Sequence, residues 1–584
     1  MTIENLITDN IDIWTAAIKN KKATGRGSSK KIELYGIKKL RELILELAVR
    51  GMLVAQDPSD EPASALLEKN FTEQERLILD ENLKTKASKK ILESDEYLVS
   101  PRSWGKIKLG NLAKFIDYRG KTPKKLDSGV RLITAKNVKF GFISLQPEEF
   151  ISQDEYSVWM TRGFPQIGDI LFTPEAPLGN VAQVELKERF ALAQRAICFQ
   201  LHLPDISNFL RLFLMSPNFQ KLLKEKATGT TAKGIKASVL KELLIYLPPQ
   251  KEQHRIVAKV DELMALCDQL EQQTESSIDA HKTLVEVLLA TLTDSKNANE
   301  LNQNWARVSE FFDTLFTTEH SIDQLKQTIL QLAVMGKLVP QNPNDEPASK
   351  LLERIAAEKA QLIKDKKIKK QKTLPLITDE EKPFELPNGW EWCRLGSIGV
   401  GATGKTPNTR NFNYFNGEIQ FVGPGQITPQ GELLISEKTL TALGLEQSTT
   451  ANKGDLLMVC IGGSIGKSTL AKDRIAFNQQ INAMHPILFS SEFLKTSVST
   501  NQFYESVLEK STGSATPIIN RGKWEELIIP VSPLSEQNRI VAKVERLMNI
   551  CDKLKICLTH AQQTQMYFAD VISAKKTDRD INNG

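Results

Sequence analysis

From Glu252 onward the apolar residues step by four and three, at Ile256, Val260, Leu263, Cys267 and Leu270, with mostly polar residues between them. The spacing recurs after Glu536, at Ile540, Val544, Leu547, Cys551, Leu554 and Leu558. Residues three and four apart share one side of a helix, so both stretches predict long helices carrying a narrow seam of the coiled-coil or bundle kind. Glycine and proline are absent from Glu252 to Leu292, which allows a helix of about 40 residues, roughly 60 Å long at 1.5 Å per residue. Shorter stripes, Ile37, Leu40, Ile44, Leu47 and Ile322, Leu325, Ile329, Leu332, predict two further helices that stop at Gly51 and Gly336 as C-terminal caps.

Between these stretches the helical period disappears. Residues 100–248 and 386–531 hold short apolar runs such as VRLITA, GDILFT, GDLLMV and ELIIPV, punctuated by Gly, Pro and Asn. Such runs predict mixed α/β globules with long loops.

The two kinds of segment alternate because the chain is written twice. IKKLRELILELAVRGMLVAQDPSDEPASALLEK from Ile37 matches IDQLKQTILQLAVMGKLVPQNPNDEPASKLLER from Ile322, and PPQKEQHRIVAKVDELMALCDQL from Pro248 matches SPLSEQNRIVAKVERLMNICDKL from Ser532. Weaker echoes lie between: PRSWGKIKLG with PNGWEWCRLG, RGKTP with TGKTP, and KATG with KSTG. The expected organisation is a helical region over 1–99, an α/β domain over 100–248, a central helical region over 249–385, a second α/β domain over 386–531 and a last helix over 532–584. Copies of a seam helix that lie far apart in one chain can pair antiparallel only with the two α/β segments at opposite ends.

At 584 residues several domains are required. With 25% charged and 41% hydrophobic residues the chain is neither disordered nor membrane-spanning, because no apolar run approaches the roughly 20 residues a bilayer needs. The start, MTIENLITDNID, is acidic and polar and no secretory signal, so a cytoplasmic location is expected. Six cysteines without a C-x-x-C pair read as reduced thiols, Cys267 and Cys551 as small apolar seam residues, and no metal site is expected.

The overall charge of +5 names no partner, but its distribution does more. Residues 100–248 carry roughly +9 and residues 386–531 about zero. In the first, cations gather on turn-rich stretches at Arg119, Lys121, Lys124, Lys125, Lys136, Lys139, Lys226, Lys233 and Lys236, interleaved with Tyr118, Asn137 and Phe140. That mixture suits phosphates and base edges. A solubilising surface is the alternative.

GVGATGKTP, Gly399 to Pro407, fits the phosphate-loop pattern letter for letter, and GGSIGKST, from Gly462, misses it by one residue. A phosphate loop works between a buried strand and a helix whose first N–H groups hold the phosphates. PNTRNFNYFNGE follows Thr406, with a proline at once and no helical period. In the first copy Phe115 stands where Gly399 would be, so what recurs is GKTP, expected as a tight turn in which Gly120 and Gly404 supply positive φ and Pro123 and Pro407 fix the next backbone step.

The doubled layout, with LAV-x-G-x-LV, DEPAS, GKTP, TG and P-x-x-EQ-x-RIVAKV in each half, resembles the specificity subunit of type I restriction–modification systems over essentially the whole chain. The resemblance implies a non-catalytic protein with two α/β target-recognition domains, held apart by conserved helices in an antiparallel coiled coil. Each domain would read one part of a split, asymmetric site in double-stranded DNA. Two methyltransferase subunits using S-adenosylmethionine, and usually two restriction subunits using ATP and Mg, would assemble around it, with no cofactor held by this chain.

The candidate DNA-contacting residues are the GKTP turns (Lys121, Thr122 and neighbouring Lys124; Lys405, Thr406) and the pairs Gln194-Arg195 and Gln479-Gln480. The T-G loops complete the set, with Thr228, Lys233 and Lys236 in one half and Thr512, Ser514 and Arg521 in the other. Trp104 and Trp390, in P-x-x-W, are expected as core anchors. Three other readings are a P-loop ATPase, a fused methyltransferase, for which neither a glycine-rich cofactor strand nor a catalytic quartet is present, and a coiled-coil scaffold without DNA contact.

Overall fold

The computed structural model describes residues 3–20, 32–80, 90–118, 123–229, 233–513 and 515–579. These form two units, residues 1–277 with 561–584, and residues 278–560. The division falls inside both long helices.

In the first unit, helix α1 (Tyr35–Val49) packs beside the opening half of helix α2 (Gln250–Asp294). Ile37, Leu40, Ile44 and Leu47 of α1 and Ile256, Val260, Leu263 and Cys267 of α2 are all buried, so the two stripes read from the sequence are cores of one bundle. Arg41 pairs with Asp268 and Glu271 while Gln56 donates to Glu252 and Arg255 pairs with Asp60. Arg41, inside α1, meets a later stretch of α2 while Gln56, past the end of α1, meets its start, so α1 and the opening of α2 are antiparallel. The end of helix α4 (Leu534–Arg579) completes the unit: Asp570 pairs with Lys39 and accepts from the Tyr35 hydroxyl.

The second unit repeats this arrangement with helix α3 (Glu319–Val334) and the opening of α4. Lys326 pairs with Asp552, Lys555 with Asp323, and Gln341 donates to Glu536, so α3 and α4 are antiparallel. The end of α2 lies along α3 in the same direction, with Gln324 donating to Glu286, and Lys337, just past the helix, to the Thr293 and Ser295 carbonyls. Within this unit α2 and α4 therefore run antiparallel, and Val285, Leu289 and Leu292 share one core with Ile540, Val544 and Cys551. In the second unit the seam residues at the opening of α4 share one core with α3 and with the end of α2, a three-helix solution where the sequence pattern suggested a pair.

Gly51 and Gly336 cap α1 and α3 as expected, both at φ +68°. The N–H groups of Met52 and Lys337 reach back to the Leu47 and Leu332 carbonyls, closing each end in the Schellman pattern.

The α/β part of the first unit is built on an antiparallel sheet of β1 (Ala113–Asp117), β2 (Ile170–Phe172), β3 (Val181–Gln183) and β4 (Ile197–Leu201) in the order β1-β4-β2-β3. The second unit has β5 (Gly399–Thr403), β6 (Leu456–Val459), β7 (Ser468–Leu470) and β8 (Ile481–Pro486) in the equivalent order β5-β8-β6-β7. Each has a second sheet with one parallel pair, Val130–Ile133 beside Phe190–Leu192 and Phe415–Val422 beside Phe477 and Ala476 of Ile475–Phe477. A two-stranded ribbon closes each domain where it joins the long helix, Gly105–Lys108 with Leu244–Leu247 and Glu391–Arg394 with Ile528–Val531.

Candidate nucleic-acid interface

Sheet register gathers the loops. In the second unit Thr403 is opposite Asn482 and Val459 opposite Ile481, so the turn after β5, the loop after β6 and the turn before β8 emerge at one end. The turn at Gly423–Gln426 joins them, because it follows Val422, which pairs in parallel with Phe477 just before Asn478. The 512–518 loop is tied in by bridges of Ile518 to Thr512 and Ile461.

Side chains knit these segments. Thr406 Oγ1 donates to Gln479 Oε1 at 2.6 Å, Lys405 N to the Phe477 carbonyl at 3.1 Å, and Asn478 Nδ2 to Gln480 Oε1 at 3.2 Å. The Gln480 carbonyl accepts from Cys460 N at 2.8 Å. Lys405 and Gln479 are exposed, while Thr406 and Gln480 are half-buried. The expected positive φ at Gly404 is absent. Glycine is required there for a different reason: an added Cβ would stand 2.0 Å from the Asn478 carbonyl oxygen, so the two turns touch through main chain.

The first unit places the corresponding loops in the same way. Ile197 lies opposite both Asp117 and Phe172, which brings Gln194-Arg195, the end of β1 and the 173–180 loop together. Gly234 bridges to Thr228 and Glu175, repeating the pattern at Ile518. Arg195, at φ +64° and exposed, pairs with the half-exposed Glu175 at 3.1 Å. An exposed pair of this kind contributes little and leaves the guanidinium free to exchange its partner for a phosphate. Lys233 and Lys236 are exposed on either side of Ile235, whose N–H donates to the Pro174 carbonyl. Lys136 is exposed on the turn after Val130–Ile133, beside Ala193, whose N–H reaches the Ile133 carbonyl.

The candidates are thus mostly brought together, with exceptions. Lys121 and Thr122 lie outside the described residues, as does Ser514. The exposed Lys124 is held through its N–H by Glu155 at the helix Gln153–Trp159. Arg521 leans on the sheet, donating to the Gly401 carbonyl and pairing with Glu525. Two residues offered as base- or phosphate-facing are committed elsewhere. Asn137, 2% exposed, clamps its own turn through Thr134 and the Ser144 and Pro147 carbonyls. The Tyr118 hydroxyl is used by Gly163 and Arg162, and its ring stacks on Trp159. Sequence reasoning missed Glu175, Asn478 and the 460–466 loop. Pairing the two copies loop by loop would have found the last of these, since GGSIG fills the place of EAPLG.

The phosphate-loop stretch is strand β5 followed by an open turn and a short 3-10 turn at Phe412–Tyr414, and GGSIGKST is a hairpin between β6 and β7. Neither leads into a helix N-terminus. Among the described residues no group of His, Cys, Asp or Glu is placed to hold a metal ion, and no helix is long and apolar enough to cross a membrane.

The repeated sequence motifs form an equivalent clasp in each half. Trp104 Nε1 donates to Glu252 at 3.1 Å and Trp390 Nε1 to Glu536 at 3.0 Å, with Gln56 and Gln341 on the same carboxylates. Arg255 and Arg539 bind Asp60 and Asp345 of the two DEPAS loops at 2.7 and 2.6 Å.

The model of the type I restriction modification DNA specificity domain matches residues 101–280 and 387–558. The chain is 40% identical to the EcoAI type I restriction enzyme specificity subunit of Escherichia coli, across all of both chains. It is 38% identical to the EcoEI specificity subunit of Escherichia coli, over 98% of this chain and 99% of that one. A solved chain from work on type I system assembly aligns at 18% identity with a TM-score of 0.46, over 82% of this chain and 99% of that chain.

Proposed function

This chain belongs to the family of type I restriction–modification specificity subunits, and we propose that it reads a bipartite, asymmetric DNA site for partner subunits and performs no chemistry itself. The observation that carries this reading is the pair of equivalent loop clusters with different side chains. Identical half-sites call for identical readers, and two different readers on a repeated scaffold suit a site whose two parts differ.

The clusters would divide the work by chemistry. In the first, Arg195, Lys136, Lys233 and Lys236 reach phosphates and guanine edges; in the second, Gln479 and Gln480 offer amides that match adenine, with Lys405 toward the backbone. The methyl donor S-adenosylmethionine, and the ATP and Mg that drive restriction, belong in this reading to two methyltransferase and two restriction subunits. Its place of work is the cytoplasm, where DNA is accessible.

Exchange of residues 100–248 for the equivalent segment of a relative, followed by methylation mapping of cells carrying the whole system, tests the reading. One part of the recognised site should change and the other stay. A continuous site, or change in both parts, would refute it. Absence of DNA binding by the assembled system would favour the scaffold reading instead.

A further inference from the structure

Most glycines in the described chain have an internal reason. Gly404 and Gly417 lie against backbone that a Cβ would strike, and Gly462 and Gly466 have φ values of +81° and +85°. Two of the described glycines have neither a positive φ nor any atom within 4 Å of an added Cβ. At Gly425 and Gly463 an added Cβ would meet nothing within 4 Å, φ lies outside the left-handed region, and both residues are exposed. A glycine costs conformational entropy on folding, so these positions carry a cost with no return inside the chain.

Both border the same pair of amides. Gly425 sits in the turn Pro424–Gln426, whose neighbour Gly423 lies 3.2 Å, measured from its ideal Cβ, from Asn478 Nδ2, the group that donates to Gln480. Gly463 sits in the loop opened by Cys460, whose N–H donates to the Gln480 carbonyl. The loops that carry Gly425 and Gly463 therefore both adjoin the Asn478–Gln480 turn, each with a glycine whose missing side chain faces open space. The first domain fills the place of Gly425 differently. There Asn137 bonds to Thr134 N as Gln426 bonds to Gly423 N, which makes exposed Lys136 the counterpart of Gly425.

We infer that Gly425 and Gly463 are where the duplex seats in van der Waals contact with the main chain of the second recognition domain, letting Gln479 and Gln480 reach the base edges. The inference rests on the DNA-reading role proposed above. It also separates the two domains physically. The first holds DNA at the reach of long cationic side chains, and the second holds it by close approach, as glycine permits where another surface must come near. Binding at the second part of the site should depend on shape and little on salt.

The test uses the complete methyltransferase complex carrying Gly425→Val or Gly463→Val, with duplex binding measured over a salt series and unfolding measured alongside. Each variant should melt as the parent does, because the space is open. Each should bind its full site about tenfold or more weakly, the cost of a mismatched base pair or greater, with the salt slope unchanged. Parental affinity in either variant, or a lowered melting temperature, would overturn the inference. Exchange of residues 386–531 in the same assay separates the two levels. If that exchange changes the letters read while Gly463→Val binds normally, only the close-approach inference fails. If the exchange changes nothing, the reading role of the domain fails.

Discussion

The indole N–H of Trp104 donates to the carboxylate of Glu252 at 3.1 Å, with the two residues 6% and 1% exposed. It joins the P-x-x-W stretch that opens the first recognition domain to the helix that leaves it. Burial pushes the Glu252 carboxyl above its ordinary value, opposed by the indole bond. Trp104→Phe leaves a buried acceptor short of a donor and should cost about 1–3 kcal/mol in denaturant unfolding. Glu252→Gln keeps an acceptor oxygen and buries no charge, so it should cost less. The sign of the pH effect follows from the raised folded value: the carboxyl's contribution is full below the ordinary Glu range and is lost as pH rises through the raised value. The Gln variant should therefore gain on the parent with rising pH, and Glu536→Gln should behave alike, since its carboxyl is raised by burial as well.

An ion pair of the opposite kind fixes the chain leading into the second domain. Arg394, 5% exposed, grips Glu381 with two hydrogen bonds of 2.7 Å and also donates to the Pro375, Leu376 and Glu526 carbonyls. The Arg394 bonds hold the Glu381 carboxyl down at about 2. A lowered carboxylate stabilises above its ordinary value and loses that contribution as pH falls toward 2. Melting followed from pH 6 to pH 2 should fall more steeply for the parent than for Glu381→Gln, and parallel curves would show that the pair adds nothing.

Charge in the first domain has a measurable signature. Arg195→Gln and Lys136→Gln should each reduce the slope of log affinity against log salt by up to about one for every phosphate left without its cation. Titration of the assembled complex with duplex at several salt concentrations reads this, and an unchanged slope would assign both cations to solvent.

The GKTP turn of the second domain is locked by main-chain contact. Gly404→Ala forces a Cβ to 2.0 Å from the Asn478 oxygen, so the turn or the Gln479-Gln480 segment must move. The variant should lose both stability and recognition of one half-site, unlike the variants at Gly425 and Gly463. Unfolding and methylation mapping of the same preparation distinguish the two kinds of glycine.

The sequence by itself determined what periodicity and repetition can carry. The helical seams of Ile256–Leu270 and Ile540–Leu558, the caps at Gly51 and Gly336 and the two α/β segments follow from local spacing, because burying one face of a helix or ending it at a glycine is a matter of a few neighbouring residues. Repetition also separated GKTP from a nucleotide loop. The tertiary structure decided which partners meet, since a stripe specifies that a face is buried and leaves open what buries it: hence three helices in each bundle, and α2 ending among the residues of the second unit. It also decided the use of ambiguous polar residues. Asn137 and Tyr118 have the chemistry to touch DNA, but bonds to Pro147, 10 residues away, and Gly163, 45 away, consume it. Gly404, Gly425 and Gly463 are one letter in the sequence, and only the atoms facing each absent side chain tell a packing requirement from an open approach.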